Sequence, residues 1–233
     1  MSHEFRHSDE SVEHGTPVNV VEAEYDVLGS IDLDPASSPL FNRAIGARRI
    51  YTVEDNGYAQ PWTARTVHLN PPGGKCDVTG RPVYAATKKR QSCLETGACG
   101  LPAGRREGGK LVAGHAHKGV TSAAKAWWFK LAEAWMLGAV EHAIYVAFNL
   151  DVFQTTQIRT PRDPRGDWPL PVPLDFDFCV PRVRLEYLAP TGDGVEAGES
   201  PTHASAVVLL SRDQATRERF KTCFSAFGKI VSR

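Results

Sequence analysis

The ten residues Thr66-Val67-His68-Leu69-Asn70-Pro71-Pro72-Gly73-Gly74-Lys75 constrain this chain more than any other stretch. An apolar run stops in two prolines, which remove two backbone donors in succession, so a strand through Leu69 cannot continue past Asn70. Val67 and Leu69 point to one face of that strand, Thr66 and His68 to the other. Asn70 therefore sits at a carboxyl tip, the place where open α/β sheets bind ligands. Its side-chain oxygen and the main-chain carbonyl beside it are two acceptors, with no competing donor from Pro71 or Pro72. Two converging acceptors suit an NH2 group. Accepting both hydrogens of a delocalised ring amine favours the pyramidal nitrogen of a transition state, which makes such binding catalytic.

Composition narrows the setting. The chain of 233 residues is long enough for one full core and a small added module. Basic and acidic residues balance at 27 each, so no global positive field announces a nucleic-acid partner, and local charge has to be examined instead. The polar opening Ser2-His3-Glu4-Phe5-Arg6-His7 and the lack of a long apolar run lead us to expect a cytoplasmic protein without a membrane partner. Five cysteines, an odd number spread from Cys76 to Cys223, argue against a disulfide framework and leave metal or free-thiol roles open.

Taken in order, Thr16-Pro17 reads as an N-cap and first helical proline, followed by Val20, Val21, Ala23, Val27 and Leu28 on a helical period, with Gly29 as the stop. Ser30 to Asp34 reads as a short strand ending in a carboxylate. Pro35, Ala36, Ser37 and Ser38 then form a small-residue turn that permits close approach of a ligand, and a helix over Pro39 to Ala47 would direct its N-terminus there. Arg48 to Asp55 reads as a second strand ending in Glu54 and Asp55. The short interval between Asp34 and Asn70 leaves room for brief connections, so an irregular early sheet is expected. Further on, Thr121 to Gly138 is the clearest helix, and Ala143 to Asn149 a strand covered on both faces. Residues 159–181 read as a proline-rich loop, and Arg182 to Leu188 as a strand with one solvated face. Pro190 to Thr202 reads as a hairpin loop, Ala206 to Leu210 as a buried strand, Asp213 to Phe227 as a helix stopped by Gly228, and Lys229 to Val231 as a last strand.

The ordered series Thr16-Pro17, Ile31-Asp32-Leu33-Asp34-Pro35-Ala36-Ser37-Ser38, Tyr51-Thr52-Val53-Glu54-Asp55-Asn56-Gly57, Trp62 and Leu69-Asn70-Pro71-Pro72 resembles the phage-type DNA N6-adenine methyltransferase family. The likeness continues through Ala126-Trp127-Trp128-Phe129-Lys130-Leu131, Pro181-Arg182-Val183-Arg184-Leu185 and Ser205-Ala206-Val207-Val208, and so covers most of the chain outside residues 75–118. It implies a compact α/β fold with a Rossmann-like methyltransferase sheet in residues 1–74 and 119–233, interrupted by a basic, Cys-containing insertion at 75–118. It implies S-adenosylmethionine as cofactor, DNA as partner and a phage- or prophage-encoded protein in a bacterial host. Thr16 and Pro17 would hold the methionine end of the cofactor, Asp32, Asp34 and Ala36 would form the first-strand motif, and Glu54 with Asp55 would meet ribose or adenine. Asn70, Pro71 and Pro72 would hold the amine of an extruded base. Strand-end turn chemistry is the other reading of Asp34 and Asn70, and capping or solvation accounts for Thr16, Asp32, Glu54 and Asp55 about equally well. The family carries an aromatic residue directly after the two prolines; here that place is Gly73. Trp127, Trp128 or Phe148 could stack on the base instead, although paired tryptophans on a helix are ordinarily core.

The insertion holds nine basic side chains, among them Lys75, Lys88, Lys89 and Arg90, against the three acidic residues Asp77, Glu95 and Glu107, a formal charge of +6. Such a segment suits phosphates, and Lys75, Lys88, Lys89, Arg90 and Trp127 are the candidate DNA contacts; a solvated loop has the same composition. Cys76, Cys93 and Cys99 with His115 could form a Cys3His zinc site that orders an apolar-poor segment, with His117 an equal fourth ligand. Without any Cys-x-x-Cys pair, free thiols remain the other reading. Cytosine N4 methylation uses the same acceptor pair, and a catalytically silent DNA-binding or zinc-dependent module is the rival from a different class.

Overall fold

The computed structural model describes residues 14–76, 105–107, 110–113, 121–147, 176–191, 194–198 and 204–232. Its centre is a seven-stranded sheet of order β13-β9-β12-β8-β3-β1-β2. The strands are β1 (Leu33–Asp34), β2 (Arg49–Ile50), β3 (Ala64–Leu69), β8 (Val140–Ala147), β9 (Asp177–Pro181), β12 (Ala206–Ser211) and β13 (Gly228–Val231). β2, β1, β3 and β8 are parallel to one another; β12 runs against β8, β9 against β12, and β13 against β9. Two reversals restore direction, so β9 runs with β8 and the sheet is mostly parallel, with β12 and β13 opposed.

Helices cover both faces. α3 (Ala123–Met136) lies over Val67 and Leu69 of β3 and Ala143, Tyr145 and Ala147 of β8. α1 (Val18–Leu28) and α4 (Gln214–Phe224) lie over the alternate residues Ile144 and Val146. The short α2 (Pro39–Ile45), capped by Ser38 and stopped by the left-handed Gly46, packs beside α1 through Phe41, Ile45 and Val21. The connection from β1 to β2 thus runs on the α1 face, and the one from β3 to β8 on the α3 face. The chain reverses its direction of travel across the sheet between β1 and β3, which makes that boundary a topological switch point. Among the described residues no helix is long and apolar enough to cross a membrane.

The early sheet is irregular, as its short connections demand. β1 and β2 have two residues each, and the expected strand over Arg48 to Asp55 ends at Ile50, giving way to turns from Val53 onward. Gly29 ends α1 in the left-handed region (φ 77°) as expected, whereas Thr16 does not cap it: the N-cap position is Pro17, without a side-chain bond.

Other expectations require correction. Arg182 to Tyr187 is not a strand, and Leu188 only opens the short strand Leu188–Pro190; the main ladder forms upstream in β9, at the end of the expected loop. Asp177 hides β9 from a hydropathy reading, yet it is buried because Arg217 of α4 donates to it from Nε at 2.6 Å and Nη2 at 3.0 Å. Thr121–Ser122 forms strand β7 rather than a helix cap, and pairs with β4 (Lys75–Cys76), so the chain leaves and returns side by side around the intervening residues. β5 (Arg105–Glu107) and β6 (Lys110–Ala113) form a hairpin within them, and β10 (Leu188–Pro190) and β11 (Val195–Ala197) another in the expected hairpin region. Gly228 does not stop α4. It opens β13, where a Cβ would lie 2.0 Å from the Val180 carbonyl oxygen.

Candidate functional site

β1, β2 and β3 point the same way, so their carboxyl tips share one edge of the sheet. Leu33 is level with Val67, which sets Asp34 beside His68 and leaves Asn70 just beyond the tip of β3. Asp34 and Asn70 therefore flank the switch point.

Asn70 is half-buried, and its Nδ2 donates to the His14 main-chain carbonyl at 2.6 Å. A carbonyl only accepts, so the amide nitrogen must face His14 and Oδ1 the other way. Pro71 is buried and Pro72 half-buried. The loop then turns at Gly74 (φ 75°), whose carbonyl accepts from Ala123 N at 3.1 Å, tying the loop to the start of α3.

Asp34 is 1% exposed, and its Oδ1 accepts from Ala36 N at 3.1 Å. Burial pushes the carboxyl above the ordinary range, while the His68 imidazolium, the Ala36 N–H and Ser37 pull it back. The turn over residues 53–59 presses on this loop so closely that a Cβ at Gly57 would meet the Pro35 carbonyl oxygen at 1.9 Å. Glu54 is exposed in that turn. Asp55 is exposed as well, and its Oδ2 accepts from Thr52 N and Oγ1, both at 2.9 Å, which holds its pKa below the ordinary value. Asp32 faces Arg48 Nη1 at 3.1 Å and Ser30 Oγ at 3.3 Å, so its carboxylate is engaged before the strand tip.

Glu24 and His68 are not among the sequence-predicted site residues. Both are fully buried, with His68 Nδ1 2.7 Å from Glu24 Oε2 and His68 Nε2 3.1 Å from Thr16 Oγ1. Burial works against a charged imidazole, but the Glu24 and Asp34 carboxylates outweigh it and push His68 up to about 9. For Glu24, burial raises the pKa and the imidazolium draws it down; among the described residues its Oε1 has no hydrogen-bond partner. The signal was present in the sequence: Glu24 lies four residues after Val20 and four before Leu28, on the apolar stripe of α1. Pro17 accepts at its carbonyl from Val20 N and Val21 N.

Trp127 is 5% exposed, its ring centroid 5.7 Å from Tyr58 and 5.5 Å from Trp62, in the core below α3 rather than presented for stacking. Trp128 is wholly buried against Tyr145. Lys75 contributes its backbone to β4, and Cys76 is buried there. Lys88, Lys89, Arg90, Cys93, Cys99, His115, His117 and Phe148 lie outside the described residues. Among the described residues no cluster of His, Cys, Asp and Glu could hold a metal ion. No family model, curated protein or solved structure matches the chain.

Proposed function

We propose that this protein is a DNA methyltransferase with a Rossmann-like sheet, acting on the exocyclic N6 amine of adenine with S-adenosylmethionine as methyl donor. The observation that carries the reading is the placement of Asp34 and Asn70 on adjacent parallel strand tips on either side of the switch point. The residue types suit the donor: Asp34 is a buried carboxylate that a cationic or N–H group can meet, Ala36 and Ser37 are small residues beside it, and Thr16 and Pro17 stand at the start of α1. When bound, the donor supplies an electrophilic methyl group on a sulfonium. Asn70 Oδ1 and the Pro71 carbonyl accept the two hydrogens of the amine and concentrate electron density on its nitrogen. The +6 charge of residues 75–118 supports DNA as the partner.

Isotope-labelled methyl transfer to unmethylated DNA tests this reading. Wild type should label N6-methyladenine in the digested product, and Asn70→Ala should lose roughly a hundredfold or more in rate, the scale of removing one oriented polar group from a transition state. Label in N4-methylcytosine would move the reading to cytosine. No transfer to any DNA by folded, cofactor-bound protein would overturn it.

A further inference from the structure

Segment 14–17 is tied down at three points. Gly15 exchanges two main-chain bonds with Leu188, both 2.8 Å; Thr16 Oγ1 is 3.1 Å from His68 Nε2; and the His14 carbonyl accepts from Asn70 Nδ2 at 2.6 Å. The middle tie is buried and charge-assisted. His68 meets Glu24 from α1, Thr16 from the segment itself and Asp34 from β1, while its neighbour on β8 is the apolar Ile144. Held by Glu24 at Nδ1, the ring cannot turn, so Nε2 stays aimed at Thr16. Asn70 lies two residues after His68, just past the end of β3, and among the described residues the His14 carbonyl is the group that orients its amide.

We propose that His68 and Glu24 are positioning residues for Asn70: they latch segment 14–17 through the Thr16 hydroxyl, and the latched segment presents the carbonyl that turns Asn70 Oδ1 toward an incoming primary amine. The latch deepens the methyltransferase reading and rests on it for its chemical purpose, but its geometry is testable without turnover.

The test combines the Asn70 side-chain amide resonances of the full chain with steady-state methyl transfer, in wild type, Thr16→Val and Thr16→Ser. Valine keeps the shape and removes the hydroxyl; serine restores it. The expected result is that Thr16→Val moves the Asn70 amide resonances toward those of a free amide and speeds their exchange. It lowers kcat by roughly ten- to a hundredfold, the scale of a misplaced reacting group. Thr16→Ser returns both readouts to wild type. Unchanged Asn70 resonances in folded Thr16→Val, or a serine variant as impaired as the valine one, would overturn the latch. Failure of wild type to transfer any methyl group would sink the enzymatic reading while the resonances still decided the latch.

Discussion

His68 is the residue on which burial and charge compete most directly. It is fully buried and still carries its proton to about pH 9, because Glu24 and Asp34 face it. In the unfolded chain the imidazole loses that proton near its ordinary value of 6.5. Between those values the folded state therefore binds more protons, so this contribution is complete below 6.5 and is lost as pH rises through about 9. Its size is roughly 3 kcal/mol at most. Glu24 and Asp34, both raised by burial, act with the same sign. Denaturant unfolding of wild type should show a midpoint that falls steadily across this window, and His68→Gln should flatten it. A wild-type midpoint that does not move would refute the charged pair.

At the scale of elements, close backbone approach decides where strands and turns meet. Gly57 seats the turn after β2 against the Asp34-Pro35 loop, where a Cβ would lie 1.9 Å from the Pro35 oxygen and 2.9 Å from Tyr51 Cβ. Gly57→Ala must shift backbone rather than a flexible side chain, and should cost about 1–3 kcal/mol, read as a lower denaturation midpoint at unchanged m-value. A variant as stable as wild type would show that the turn yields freely. Much at this scale was legible in advance: α1 with its Gly29 stop, α2 behind Ser38-Pro39, the stop of β3 at Asn70, and β12 as a buried run. β9 was not, because a buried aspartate paired to an arginine forty residues later reads as polar surface until the two are brought together. Nor was Gly228, which looks like a helix stop and serves a strand contact.

For the whole molecule, the sheet gathers segments distant in sequence, 14–17, 34–37, 53–57 and 70–72, along one edge around the switch point. A ligand seated there binds only the folded chain, so under the proposed function S-adenosylmethionine at a hundred times its Kd should stabilise the protein by about 2.7 kcal/mol. Asn70→Ala should keep that stabilisation while losing transfer, since in the proposed function Asn70 meets the amine and not the donor. Loss of both together would mean that residue 70 supports the pocket as a whole.

The local pattern by itself determined the end of β3, the acceptors at Asn70 and the carboxylate at the tip of β1, because a double proline and a short apolar run act through backbone donors and side-chain period alone. Tertiary structure decided which carboxylates join that edge, setting Asp34 beside His68 while giving Asp32 to Arg48 and Asp55 to Thr52. It also paired Glu24 with His68 and put Trp127 in the core. Those outcomes depend on burial and on partners far away in the chain, and the field at a buried charge is set by neighbours that only folding supplies.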